Sequence, residues 1–173
     1  MKKLTLLALA LPLVATLSIN EANAEGLGVH GTLGLPMGDF SDFAGLGFGG
    51  GVSWTRELNE NMTYAAKVSY LTFGGKDVDA FGGSTEYSYS MIPVVAKTNY
   101  YFGGSESMRF YGSLSAGYYF VSVDVGSASS SSGEIGFAPG VGMEMGNLDF
   151  NAEYHLIDGS NLTYLGINVG YNF

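Results

Sequence analysis

The C-terminal segment, residues 163–173, alternates between two kinds of side chain. One set is Leu165, Ile167, Val169, Tyr171 and Phe173, and the other is Tyr164, Gly166, Asn168, Gly170 and Asn172. Successive side chains of a β-strand point to opposite faces of the sheet, so this period of two predicts a strand with one oily face. The segment is also long enough to cross a bilayer, which takes a tilted strand of about 9 to 11 residues.

The N-terminus has the parts of a secretory signal peptide. Two lysines precede an apolar run, and a small-x-small cleavage site follows it: Lys2 and Lys3, residues 4–17, and Ala22, Asn23 and Ala24. The run is too short for a spanning helix, which needs about 20 apolar residues. We predict that residues 1–24 are a cleaved export signal and that residues 25–173 form one domain.

The predicted mature chain is acidic and has no cysteine. The whole sequence holds seven basic and sixteen acidic side chains, and the signal removes Lys2, Lys3 and Glu21, which leaves five and fifteen and a net charge of −10. A chain of this charge is a poor partner for nucleic acid. The lack of cysteine excludes a disulfide framework and a lipid-anchored N-terminus. We expect no cofactor.

Period-two patterning recurs in eight segments, namely residues 26–35, 45–56, 62–73, 86–102, 108–123, 134–146, 148–157 and 163–173. Connections that are long, around 36–44, 74–84, 124–133 and 158–162, alternate with short turns around 58–61, 103–107 and 146–147. This alternation is typical of a bacterial up-and-down barrel. The predicted fold is an all-β, eight-stranded antiparallel transmembrane β-barrel with its long connections outside the cell.

Aromatic residues on the outward parity cluster near the strand ends. Those near the short turns or the C-terminus are Trp54, Tyr64, Tyr100, Phe102, Phe110, Phe150, Tyr171 and Phe173, and those nearer the long connections are Phe48, Tyr70, Tyr118, Phe120 and Tyr154. Two such belts are expected at the two interfaces of a membrane.

The fourth segment switches its apolar parity, which predicts a bulge near Pro93 or a strand that extends beyond the bilayer. The serine run at 127–132 predicts a flexible loop.

The inward parity predicts a charge network in the lumen. Its members are Lys67, Lys97 and Arg109 facing Glu144, Asp149 and Glu153, with His30 and His155 nearby. An eight-stranded barrel is only wide enough for its side chains to fill, so unpaired charges there are costly. The network is either a structural set of ion pairs or a gate for protons or small ions. We expect inward Asn168 to tolerate substitution better than outward Val169.

Several segments resemble the small outer-membrane β-barrel proteins of Gram-negative bacteria, the eight-stranded OmpA/OmpX-like group. They are GLPMGDF at 34–40, MIPVVA at 91–96, YYF at 100–102, FAPGVGME at 137–144 and GYNF at 170–173. The resemblance covers the mature chain and implies a location in the outer membrane of the cell envelope. It also implies that Tyr171 and Phe173 belong to the signal read by the barrel-assembly machinery. Asn168 stands where that family commonly has glycine.

The family shares a barrel rather than an activity, so the specific role stays open. We expect a structural or surface-interaction protein that acts through its long loops and is a monomer. Its expected partners are outer-membrane lipids, lipopolysaccharide, the assembly machinery and a possible extracellular ligand. The alternatives are a narrow channel for small solutes or ions, a lipid-modifying enzyme and a soluble periplasmic binder similar to lipocalins. An enzyme is not expected, because the nearest constellation, His155, Asp158 and Ser160, breaks the histidine-to-serine spacing of the lipid A deacylases at Ile157.

Overall fold

The computed structural model describes residues 26–75, 78–80, 83–85, 87–105, 107–125, 128–159 and 162–173, and the predicted signal peptide lies outside them. The elements, in chain order, are β1 (Leu27–Met37), α1 (Phe40–Phe43), β2 (Ala44–Asn59), β3 (Met62–Gly75), β4 (Val78–Ala80), β5 (Gly83–Thr85), β6 (Tyr87–Ser105), β7 (Met108–Val125), β8 (Ala128–Met145), β9 (Leu148–Ile157) and β10 (Leu162–Asn172). In this part of the chain, no helix has the length and apolar character needed to cross a membrane.

Eight of the strands form one closed barrel in the order β1-β10-β9-β8-β7-β6-β3-β2, and every neighbouring pair is antiparallel. The seam joins β1 to β10 over a register that runs from Gly28 opposite Asn172 to Met37 opposite Thr163. The short strands β4 and β5 pair only with each other. Closure leaves no unpaired sheet edge. The predicted eight-stranded antiparallel up-and-down barrel is confirmed.

The two ends of the barrel differ in their connections. We call the end that joins β1 to β2, β3 to β6, β7 to β8 and β9 to β10 the loop end. The opposite end joins β2 to β3, β6 to β7 and β8 to β9 across residues 60–61, 106–107 and 146–147, and we call it the turn end. The helix α1 lies at the loop end, between β1 and β2. Both chain termini of the barrel lie at the turn end.

The outer wall of the barrel is apolar. Its exposed side chains include Phe48, Val52, Trp54, Tyr64, Val68, Ile92, Val94, Leu114, Phe137, Val141, Ile167 and Val169. Soluble proteins rarely expose contiguous apolar patches beyond a few hundred Å². The predicted outward aromatic residues lie on this wall, with Phe150 half-buried and the others exposed. This is the surface that a transmembrane barrel presents to lipid.

The predicted loop at the serine run and the predicted bulge near Pro93 are wrong. Ser129 to Ser132 belong to β8 and pair with β7 in register, whereas residues 126 and 127 of the predicted loop lie outside the described residues. No bulge occurs near Pro93, because β6 keeps one register with β3 and β7 on both sides of it. The register shift in β6 lies between Tyr101 and Gly103 instead. The apolar parity changes because the loop-end half of the lumen is itself apolar.

Candidate functional site

The lumen contains a polar zone, in the middle and at the turn end, that is centred on Glu153. This carboxylate is 1 % exposed. Its Oε2 atom lies 3.0 Å from Lys67 Nζ, and its Oε1 atom lies 3.3 Å from Lys97 Nζ. Ser115 Oγ donates a hydrogen bond of 2.9 Å to Oε1, and Asn168 Nδ2 lies 3.3 Å from Oε2. A buried charge is costly unless it is paired and hydrogen-bonded. These four contacts therefore stabilise the buried carboxylate of Glu153.

Asn168 of β10 forms hydrogen bonds with side chains of β1 and β9 beside Glu153. Thr32 Oγ1 donates to Asn168 Oδ1 at 2.6 Å, and Asn168 Nδ2 donates to Asn151 Oδ1 at 2.8 Å. Asn151 in turn donates to Asp149. The side chain of Asn168 is buried. The expectation that Asn168 tolerates substitution better than Val169 stays a prediction, and these hydrogen bonds argue against it because the position is packed rather than open to water.

A separate ion pair lies in the polar zone at the turn end. Arg109 Nη2 lies 2.8 Å from Glu144 Oε2. Tyr101 donates its hydroxyl hydrogen to Glu144 Oε1 at 2.6 Å, and the Arg109 guanidinium lies 4.2 Å above the Tyr101 ring. The arginine side chain is 44 % exposed, whereas that of Glu144 is 13 % exposed. This pair is therefore in contact with solvent at the mouth of the barrel.

Two tyrosines connect the buried centre to the mouth. The rings of Tyr101 and Tyr111 meet edge to face with centroids 5.5 Å apart. Lys97 Nζ lies 5.2 Å from the Tyr111 centroid, and the Tyr111 hydroxyl donates to Asp149 Oδ2 at 2.6 Å. Neither tyrosine is among the residues predicted for the charge network. Strand parity was a signal that could have found them, since Tyr101 shares the inward parity of Lys97 and Tyr111 that of Arg109.

The two histidines lie near the ion pairs, and each forms a hydrogen bond with a hydroxyl group. His30 Nε2 lies 2.9 Å from Ser69 Oγ in the polar zone. His155 stacks on Tyr164 with centroids 4.2 Å apart and an interplanar angle of 5°, and its Nδ1 lies 2.9 Å from the Tyr119 hydroxyl. His155 thus marks the boundary where the polar zone ends. Its ring faces the lumen, so it is not presented to a lipid substrate outside the barrel.

An apolar zone fills the lumen at the loop end. Its buried members are Phe40, Ala44, Leu71, Phe73, Met91, Val95, Tyr119, Val121, Ile157, Leu162 and Tyr164. The helix α1 inserts Phe40, whose ring meets Phe73 at 5.1 Å and Tyr89 at 5.4 Å, both edge to face. Phe73 also meets Tyr164 at 5.5 Å. Contacts of this kind add to the burial of the rings and hold them in place across the lumen.

The described part of the polar zone contains a small cavity and a larger one. The small cavity of about 40 Å³ is lined by His30, Lys67, Lys97, Asn99 and Asp149 among others, and it has the size and polarity to hold water. The larger cavity of about 480 Å³ lies at the mouth, beside Arg109 and Glu144. Across the described residues, no three histidine or acidic side chains are arranged to hold a metal ion.

Comparisons with known proteins gave matches to solved structures only. No protein-family model matches the sequence, and no curated protein matches it significantly. The attachment invasion locus protein Ail of Yersinia pestis superposes with a TM-score of 0.53 at 17 % identity, over 86 % of this chain and 99 % of that one. Neisserial surface protein A, NspA, gives 0.56 at 20 % identity, over 86 % and 98 %. The chain has the fold of a small eight-stranded outer-membrane β-barrel.

A further solved structure shows Ail in complex with the heparin analogue sucrose octasulfate. It matches with a TM-score of 0.57 at 16 % identity, over 85 % of this chain and 96 % of that one. At such identities the likeness concerns the fold alone. An eight-stranded outer-membrane barrel is wide enough only for side chains to fill its interior. In this barrel, hydrogen-bonded polar groups fill the middle and turn-end part, and aromatic and aliphatic groups fill the loop-end part.

Proposed function

We propose that this protein is an integral component of the bacterial outer membrane, that its lumen does not conduct solutes, and that its role is exercised at the loop end on the cell surface. The observation that carries the proposal is the apolar zone. Phe40, Phe73 and Tyr164 are each at most 2 % exposed, and they lie across the lumen where a solute would have to pass. Hydrated ions and polar solutes have no hydrogen-bonding partners in such a layer.

The exposed apolar wall and the two aromatic belts support residence in a bilayer. The fold is also that of outer-membrane barrels. We propose that lipids of both leaflets, including lipopolysaccharide on the loop-end side, surround the wall, and that the barrel-assembly machinery inserts the protein.

Detergent extraction distinguishes this proposal from a soluble periplasmic binder. We expect release from cell envelopes only with detergent and a heat-dependent shift on gels. Release by osmotic shock would contradict membrane residence.

A narrow ion channel is the second candidate, and the polar zone with its cavity at the mouth favours it. The two functions differ in one measurement, single-channel recording of the purified protein in planar bilayers. We expect no conductance steps from the wild type. Steps from the wild type would show that the apolar zone opens, and the channel would then be the better assignment.

The charges of the loop end constrain its surface partner. The described ionisable side chains there are all acidic, namely Asp39, Asp42, Asp124, Glu134 and Asp158, whereas Arg56, Lys67, Lys97 and Arg109 lie in the middle of the barrel or at the turn end. Ail has been solved with a polyanion, sucrose octasulfate. An acidic surface repels a polyanion. We therefore expect the partner to be neutral or cationic, and retention on a heparin column at physiological salt would contradict this.

A further inference from the structure

Arg56 lies on the outer wall of the barrel near the turn end. It shares the outward parity of Val52 and Trp54 in β2 and is exposed. Its guanidinium carbon lies 5.3 Å from the centroid of the Trp54 ring. Across the sheet, Arg56 pairs in register with Tyr64 of β3, whose ring meets Trp54 edge to face at 6.1 Å. Two aromatic side chains thus flank one exposed cation.

Among the described residues, Arg56 differs from the other cations because no ion pair with a carboxylate is found for it. Lys67 and Lys97 pair with Glu153 inside the barrel, and Arg109 pairs with Glu144 at the mouth. No described carboxylate lies within ion-pair distance of the Arg56 guanidinium. A cation–π contact with Trp54 orients the guanidinium but leaves its hydrogen-bond donors free.

The position of Arg56 on the outer wall near the turn end favours one kind of ligand. Belts of tryptophan and tyrosine lie at the level of the lipid headgroups. Trp54 and Tyr64 are 39 % and 41 % exposed on the outer wall near the turn end, where such a belt is expected. A guanidinium presents a planar fork of donors that matches phosphate oxygens in a bidentate way. The group that a membrane offers at this level is a lipid phosphate.

We infer that Trp54, Arg56 and Tyr64 form a binding site for the phosphate of an anionic phospholipid in the inner leaflet of the outer membrane. The inference rests on the proposed function, which puts the turn end on the periplasmic side. Lipopolysaccharide is not the occupant, because it belongs to the loop-end leaflet. An anionic lipid is favoured over a zwitterionic one, since no tethered cation competes with Arg56 for its phosphate.

The chain contains a single tryptophan, so its fluorescence reports on this site alone. The full-length mature protein is folded into vesicles of phosphatidylcholine that contain brominated phosphatidylglycerol, and into vesicles with the bromine on the other lipid. Bromine quenches tryptophan at short range, so the two quenching values give the relative occupancy of the site by each lipid. We expect the wild type to prefer phosphatidylglycerol about fivefold, the ratio that corresponds to about 1 kcal/mol for one cation at an anionic membrane surface.

Three variants test the role of the guanidinium. Arg56→Gln is expected to reduce the preference to about one, and Arg56→Lys to keep part of it, because lysine retains the charge but loses the fork. Ser107→Asp makes the same change in net charge at an exposed turn-end position and is expected to leave the preference unchanged.

Each negative outcome has a distinct meaning. Equal quenching by the two lipids in the wild type, an unchanged preference in Arg56→Gln, or an equal loss in Ser107→Asp would overturn the headgroup site while leaving the membrane barrel intact. Absence of quenching by either lipid would instead contradict membrane insertion and with it the proposed function.

Discussion

Glu153 holds the polar zone together because four side chains from four different strands converge on its two carboxylate oxygens. Replacing it with glutamine keeps the shape but leaves Lys67 and Lys97 as buried cations without their ion-pair partner. Breaking a buried pair in this way costs about 3 to 5 kcal/mol. We expect Glu153→Gln to lower the free energy of unfolding by that amount, measured by urea titration of the protein folded in vesicles.

Glu144→Gln is the matched control for this prediction. It makes the same chemical change, but its partner Arg109 is nearly half exposed. Solvent-accessible ion pairs contribute about 0 to 1 kcal/mol, so the expected loss is correspondingly small. Equal losses in the two variants would mean that the Glu153 centre is hydrated rather than buried.

At the scale of single residues, the sequence identifies the charged groups but not their pairing. Parity alone puts Lys67, Lys97 and Glu153 on the inner face. It does not reveal that the predicted network divides into a buried centre and a pair at the mouth, because that depends on how far along the barrel axis each strand is displaced. The hydrogen bonds of Asn168 depend on the same displacement.

The strand β2 approaches the lumen closely because its inward side chains near the loop end are hydrogen atoms. A Cβ on Gly47 would overlap the Phe73 ring. Gly47→Ala would therefore push Phe73 out of the apolar zone, and overpacking of this kind costs about 1 to 3 kcal/mol. Vesicle unfolding measures the loss. Gly31→Ala is the control, because a Cβ at Gly31 meets nothing within 4 Å and would be nearly neutral. A neutral Gly47→Ala would contradict the close packing.

The strand β10 tests the lipid-facing wall. Ile167 lies in the middle of this strand and is 41 % exposed on the outer face. An arginine on the lipid face near the bilayer midplane costs about 2 to 4 kcal/mol. We expect Ile167→Arg to lose that much stability in vesicles, whereas Ile167→Val, which removes one methylene, loses much less. Similar losses in the two variants would show that this face does not meet hydrocarbon.

At the scale of elements, the eight barrel strands and their antiparallel order follow from period two, but the extension of β8 and the change of apolar parity in β6 do not. Ser129 to Ser132 have neither apolar alternation nor strand propensity. They extend β8 because they pair in register with residues of β7 that lie beyond the apolar part of the outer wall. Tyr89 and Met91 have the parity of the lumen, and they are apolar because they contribute to the apolar zone there. Contacts with neighbouring strands and with the apolar zone thus determine features of β6 and β8 that the local sequence pattern does not predict.

The whole molecule separates its charges along the barrel axis. Four described cations lie in the middle or at the turn end, and the described charges of the loop end are acidic. The sequence predicts the net charge but not this separation, which appears only when the strands are aligned. One consequence is that the electrostatic potential at the loop end, which the proposal puts on the cell surface, is negative. A surface that binds a polyanion has a positive potential.

Phe173 contributes to the seam of the barrel and belongs, with Tyr171, to the proposed assembly signal. The Phe173 N–H donates to the Leu27 carbonyl at 2.8 Å, across the seam between the first and last strands. Its ring is 50 % exposed and meets Tyr171 edge to face at 5.2 Å, so it is accessible to a receptor. We expect deletion of Phe173 to reduce the amount of protein in the outer membrane while export and signal cleavage continue, measured by fractionation of cells.

Phe173→Ala separates the two roles, because alanine keeps the backbone donor and removes only the ring. If the assembly machinery reads the ring, Phe173→Ala accumulates as poorly in cells as the deletion but folds into lipid vesicles as well as the wild type. If Phe173 acts only through the seam, the alanine variant reaches normal levels in cells and the deletion alone fails, in both settings. Normal levels of both variants in the outer membrane would show that neither the ring nor the seam bond is needed for assembly.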